Sequence, residues 1–356
     1  MLRSPASRVV LPLCCALGVW AFFLNRLLLN LSDSILKTGA IFLLAVGLGA
    51  LALRPLWASS ARPARLWPWL ALLVLMALGE ARRLWLRNDY RVESPPAASL
   101  FTPVTTTELR VTRFTLPVSG LPLPRVRLAH LTDLHVTNAL PRSYRDRVQQ
   151  ELAALSPDLI VMTGDYISVS NRVPLLAEWL KGLPRARLGA FAVLGNHDYW
   201  TGEATHIRET LEQAGVSVLT AECRSVALDS AHSLALCGTD APWGPELEPN
   251  QVQAAKRGAL ATLVLSHTPD NIYDFAALGV DAVISGHTHG GQIRMPGLGA
   301  MIVPSRYGRR FDQGRFLVER TPLFVSAGIG ADAPPLRLWC PPEILVVDLL
   351  PAPPAG

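Results

Sequence analysis

Asp133-Leu134-His135, Gly164-Asp165, Gly195-Asn196-His197-Asp198, Ser266-His267 and Gly286-His287-Thr288-His289 put carboxylates, imidazoles and one amide into five short segments. Five of the eight histidines lie there, a concentration that scattered surface histidines would not produce. One Asp-x-His is a weak signal, because strand ends carry such residues for turns and caps as well. The conjunction is stronger. A two-metal centre needs a shared anionic ligand to hold two like charges roughly 3.5–4 Å apart, and Asp165, on a glycine-preceded turn, suits that place. Carboxylate, imidazole and amide oxygen together fit Mn, Fe or Zn rather than Ca or a thiolate site.

The elements that must position these groups follow a repeating pattern. Arg125 to Leu131 reads as a strand running into Asp133 and His135, Asp158 to Thr163 as one running into Gly164-Asp165, and Ala190 to Leu194 as one running into Gly195-Asn196-His197-Asp198. Ser143 to Leu155 and Pro174 to Leu183 read as helices between them. Thr262 to Leu265 and Ala282 to Ser285 lead into the last two clusters, separated by a helix over Asn271 to Leu278. Leu109 to Val118 alternates in strand fashion, and Leu323 to Ser326 and Ile344 to Leu349 close the domain. In open α/β sheets ligands bind beyond the carboxyl ends of strands, which is where these clusters would gather.

The order D-x-H, GD, GNHD, a lone H and GHTH resembles the calcineurin-like metallophosphoesterase superfamily over roughly residues 125 to 350. The resemblance implies an α/β fold, a β-sandwich flanked by helices, holding two divalent transition-metal ions. By that likeness Asp133, His135, Asp165 and His289 hold one ion, and Asp165, Asn196, His267 and His287 the other. His197 is then the catalytic residue beside the scissile phosphate, and Asp198 orients the loop or the His197 ring from behind. Gly286 to Ile293, Val325 to Gly330 and Pro341 to Ile344 look like the bacterial membrane-associated branch, which includes hydrolases of lipid-linked phosphates such as UDP-diacylglucosamine. The implied chemistry is attack on phosphorus by a water that two cations have made acidic, with His197 protonating the leaving oxygen. Among the arginines after the last motif, Arg337 is the candidate for binding phosphate.

The front of the chain has a different character. Residues 1 to 95 hold eleven Lys/Arg against four Asp/Glu, and the remainder twenty-two against twenty-four, so the excess positive charge lies outside the catalytic part. That distribution argues against nucleic acid as a partner. Val9 to Asn25 and Thr38 to Leu53 are apolar runs that, with their extensions, can cross a bilayer, while Leu66 to Gly79 is only about 21 Å long as a helix. A cleaved signal peptide is the competing reading of the first run, and the second run so close behind favours retained anchors. The expected organisation is a membrane region over 1–92 with two or three spans, a Pro-rich linker over 93–108, the catalytic domain over 109–350 and a tail over 351–356. The expected location is the bacterial inner membrane. With two spans the arginine distribution places the domain in the cytoplasm; with three the domain lies outside.

Cys223, Cys237 and Cys340 show no metal-binding spacing; Cys223 and Cys237 could pair in an oxidising compartment or serve as small buried hydrophobes. His130, His206 and His232 read as structural or surface residues, and Tyr199 and Trp200 as pocket lining or core. The expected function is a membrane-anchored phosphoesterase acting on a phosphorylated small molecule or lipid. Two alternatives stand beside it: the same chemistry on soluble nucleotides or phosphoproteins, and a catalytically silent scaffold.

Overall fold

The computed structural model describes residues 90–95, 98–296, 299–300, 303–332 and 335–353. Its main compact unit comprises 90–305 and 311–356. The expected membrane runs lie outside the described residues, and among the described residues no helix is long and apolar enough to cross a membrane.

Alternation of side chains generates the two faces of the main sheet. Strands β1 (Arg91–Glu93), β2 (Arg110–Val118), β3 (Val126–Leu131), β4 (Leu159–Thr163), β5 (Ala190–Val193) and β6 (Val216–Val218) come first in the chain. Then follow β7 (Glu222–Ala227), β8 (Ser233–Thr239), β9 (Thr262–Ser266), β10 (Ala282–Ser285), the short β11 (Arg294–Met295) and β12 (Gly299–Ala300), β13 (Gly314–Val318), β14 (Thr321–Val325) and β15 (Glu343–Pro351). One sheet runs β2-β15-β3-β4-β5-β6, parallel except where β15 meets β3; the other runs β1-β13-β14-β10-β9-β8-β7, with β8, β9, β10 and β14 parallel.

In β3 and β4, Leu128, Leu159 and Val161 point into a core shared with Leu263, Leu265 and Ile284 of the second sheet, which makes the two sheets a sandwich. The alternate residues Ala129, Leu131, Ile160 and Met162 point the other way, into a core capped by helices. Both faces are buried, so these strands are almost wholly apolar.

Helix α1 (Arg142–Ala154) covers that second face through Tyr144, Val148 and Leu152, spaced four apart on one stripe. Helix α2 (Val173–Leu180) adds Leu176, Trp179 and Leu180. A short α3 (Asn196–Trp200) carries the GNHD segment, and α4 (Ala204–Gln213) buries Ile207 and Leu211. Helices α5 (Pro249–Lys256) and α6 (Ile272–Ala277) accompany the second sheet.

The expected linker stretch is held by backbone hydrogen bonds: Thr105 donates to the Arg337 carbonyl and Trp339 to the Pro103 carbonyl. Strand β1, just before it, already pairs with β13. Cys223 and Cys237 sit opposite each other on β7 and β8 and are joined by a disulfide, and Cys340 is buried and free. His130 is fully buried between the sheets and its Nε2 meets the Thr163 hydroxyl at 2.7 Å, while His206 and His232 pair with nearby carboxylates at the surface.

Candidate metal centre

Because β3, β4, β5, β9 and β10 end at the same edge of the sandwich, the loops that follow them converge. The Asp133 N–H donates to the Gly164 carbonyl at 2.9 Å, and His135 N–H to the Asp165 carbonyl at 3.0 Å, which locks the first two loops together. Asp133, His135, Asp165, His287 and His289 all take left-handed backbone angles, with φ between 39° and 66°. Non-glycine residues rarely do so, and strain of this kind persists where the surroundings over-determine the conformation. Gly286 is required for a different reason: a Cβ there would strike the Thr132 hydroxyl and the Asp133 carboxylate.

Three candidate ligand groups result among the described residues: one brings together His135, His197 and Asp332, and the other two share Asp165. Of those two, Asp133, His135, Asp165 and His289 offer donor atoms within 4.8 Å of one another, and so do Asp165, His267 and His287. Asn196 joins the latter group, its Oδ1 lying 3.0 Å from His267 Nε2. Asp165 links the two, with Oδ2 at 3.2 Å from His267 Nε2 and 3.7 Å from His135 Nε2. All the residues of these two groups are buried.

The donor set fits cations. Asp133 Oδ1 is buried without a hydrogen-bond partner, although its sister oxygen accepts from the Thr132 hydroxyl and the His287 N–H. His135 Nε2 and His289 Nε2 face each other at 3.1 Å, and His287 Nδ1 faces His267 Nε2 at 3.2 Å. Burial keeps these rings neutral, the form that ligates metal: His135 falls to about 4 and His287 to about 3, and His289 lies well below its ordinary value. Burial also raises Asp133 to about 7.

His267 behaves oppositely. Burial opposes its charge, but the adjoining Asp165 carboxylate outweighs burial and lifts it to about 9. The same pairing, reversing the upward push of burial, holds Asp165 below the usual carboxylate range. A proton thus sits where the buried carboxylate calls for positive charge. His267 Nδ1 stands 2.6 Å from the Thr163 carbonyl, which can only accept, so this outer contact orients the ring with Nε2 toward the site.

His197 lies at the edge and takes no place in either four-residue group. Its N–H donates to Asp165 Oδ1 at 2.8 Å, its ring stands edge-on to His135 at 4.9 Å, and its Nε2 is 3.8 Å from Asp332 Oδ2. Asp198 orients the loop, not the ring: its carboxylate accepts the N–H groups of Asp165, Tyr166 and Gly195 at 2.8–2.9 Å. The expectation that Arg337 binds phosphate is corrected. Arg337 is fully buried, and its guanidinium donates to the main-chain carbonyls of Gly330, Ala327 and His289, bracing the loops behind the site.

Three further groups outside the five motif clusters support the site. Ser168 Oγ meets His135 Nδ1 at 2.6 Å. Gln292 holds the Asp332 backbone from both sides, accepting its N–H and donating to its carbonyl. Asp240, fully buried, accepts from Leu194 N–H and the Tyr199 hydroxyl. Asp240 follows β8 directly, so the strand-end rule that located the other clusters also applied to it.

This sandwich, with carboxylates and imidazoles converging at its strand ends, has the form of a metal-dependent phosphoesterase. Residues 126–291 match the calcineurin-like phosphoesterase family. The chain is 31% identical over 228 residues to the phosphodiesterase YaeI of Escherichia coli, covering 63% of this chain and 82% of that one. It is 29% identical over 252 residues to an uncharacterized metallophosphoesterase of Aquifex aeolicus (68% and 92% covered). It is 27% identical over 302 residues to the UDP-2,3-diacylglucosamine pyrophosphatase LpxG of Chlamydia muridarum (68% and 89% covered). The chain belongs to the calcineurin-like metallophosphoesterases and is a metal-dependent hydrolase of phosphoric esters.

Proposed function

We propose that the protein is a membrane-anchored, two-metal phosphoesterase that hydrolyses a lipid-linked phosphate ester or diphosphate. The observation that carries the two-metal part is Asp165, whose carboxylate is common to two ligand groups. The lipid part draws support from the relative named as a UDP-2,3-diacylglucosamine pyrophosphatase and from the apolar runs at the front of the chain. The rim adds to it, since Val169, next to Ser168, is an exposed large apolar residue.

Asp133, His135, Asp165 and His289 would hold one divalent ion, and Asp165, Asn196, His267 and His287 the other. Bound there, Mn, Fe or Zn ions would supply an acidified water at neutral pH and offset charge on the phosphoryl oxygens. The chain's own contribution is placement. Ser168 and the Thr163 carbonyl aim the rings of His135 and His267, and Asp198 fixes the Asp165 turn against the GNHD turn. His197, at the open edge, gives a proton to the departing oxygen as its bond to phosphorus breaks, the other product keeping the oxygen of the attacking water.

A second reading is the same chemistry on soluble nucleotides or phosphoproteins, with the anchor serving only to localise. A silent scaffold is disfavoured by the complete ligand set. The test is metal content by elemental analysis of the detergent-solubilised protein, together with hydrolysis of bis-p-nitrophenyl phosphate by wild type and His197→Ala. Near two ions per chain, turnover in wild type and loss in the variant are expected. A folded protein that takes up no Mn and turns nothing over would sink the proposal. Preference for soluble nucleotides over membrane-lipid phosphates would shift it to the second reading.

A further inference from the structure

Two tryptophans stand at the mouth of the metal centre at right angles. Trp200 closes α3, three residues after His197, and is 66% exposed. Trp243, in the loop after β8, is half-buried, its ring 5.0 Å from that of His287 and 5.7 Å from that of His267. The two indoles are 6.5 Å apart with their planes at 90°, and the His197 ring lies 5.2 Å from Trp200. The pair therefore runs continuously from two residues of one ligand group to the candidate proton donor.

The corner is built, not incidental. The Tyr199 hydroxyl donates to Asp240 Oδ2 at 2.8 Å, tying α3 to the loop that carries Trp243. Within that loop the N–H groups of Trp243 and Gly244 both turn back onto the Asp240 carbonyl, and a side chain on Gly244 would collide with the Tyr199 ring beneath. Tyr199 is packed against the core, so it supports the corner while Trp200 is left facing solvent.

We infer that Trp200 and Trp243 form the subsite for the leaving group and that this group carries a flat ring, a nucleobase or an aryl group. Perpendicular indoles present one face and one edge to such a ring, the offset-stacked and edge-to-face contacts that aromatic quadrupoles favour. A saturated group of the same size would gain burial without the quadrupole term. The placement beside His197 assigns the subsite to the departing side of the phosphorus, so the inference rests on the phosphoesterase reading above.

The test is calorimetric binding of phenyl-, cyclohexyl- and methylphosphonate to the Mn-loaded, full-length protein, with bis-p-nitrophenyl phosphate turnover measured alongside. Phenylphosphonate is expected to bind about tenfold more tightly than cyclohexylphosphonate. Trp200→Ala should abolish that preference without changing methylphosphonate binding, and Trp200→Phe should keep most of it. Equal binding of the two six-carbon rings, or a preference that survives Trp200→Ala, overturns the inference and leaves the phosphoesterase reading intact if turnover is present. Absence of metal uptake, phosphonate binding and turnover together overturns both.

Discussion

Asp165 has two buried oxygens with separate duties. Oδ1 accepts the His197 N–H, and Oδ2 reaches both ligand groups. Its partner His267, at about 9, carries a proton at neutral pH that must leave when a metal takes Nε2, and Asp133, at about 7, adds a second below neutrality. Metal uptake should therefore release one proton between pH 7 and 9 and two below pH 7, with affinity rising as pH rises. Calorimetric titrations in two buffers of different protonation enthalpy read this directly; an uptake heat independent of buffer would refute it. Asp165→Asn should empty both sites and lower turnover by more than about a hundredfold, since even outer partners of ligands are worth about 10–100-fold. Arg337→Met tests the corrected role. It removes several donors from buried carbonyls, so a loss of about 3 kcal/mol in urea unfolding is expected, whereas unchanged stability with a raised KM would restore phosphate binding.

At the scale of elements, the site depends on strand ends pressed close together. The Gly286 turn after β10 abuts the Thr132-Asp133 turn after β3, and the two come from different sheets. Gly286→Ala should leave both sheets formed but displace the Asp133 carboxylate, weakening metal affinity at least about tenfold. Elemental analysis against far-UV circular dichroism would check it, and full metal occupancy would count against the close-approach argument. The strands that carry the motifs were readable because burial on both faces leaves them nearly all apolar. Between residues 201 and 261 the sequence pattern alone defines no element. There, β6 has three residues, and edge strand β7 buries only Val226 well, so neither shows a clear period. Their strand character comes from pairing with β5 and β8.

For the whole molecule, the uneven charge and the apolar front of the chain lead to one expectation, and the catalytic unit to another. The full-length chain should remain in the membrane fraction after an alkaline wash that strips peripheral proteins; release into the wash would remove the anchor from the proposal. A metal that binds the folded site in preference to the unfolded chain raises the unfolding midpoint, by about 2.7 kcal/mol of stability at a hundredfold excess of free metal over Kd. Chelation should reverse the shift, and a midpoint indifferent to chelator would argue against a buried site.

The family and the order of the candidate ligands along the chain were legible in the sequence, because each motif is a local strand-and-turn signal built from residues of metal-binding chemistry. Which residues share a cavity depended on pairing across long separations: His135 and His289, 154 positions apart, meet only because β3 and β10 end at one edge of the two-sheet sandwich. The same packing turned Arg337 inward to main-chain carbonyls, placed Asp332 beside His197 and brought Trp243 against the His267 and His287 rings. Contacts of this kind have no periodicity or motif, since they are set by the shape of the folded surface and not by neighbours along the chain.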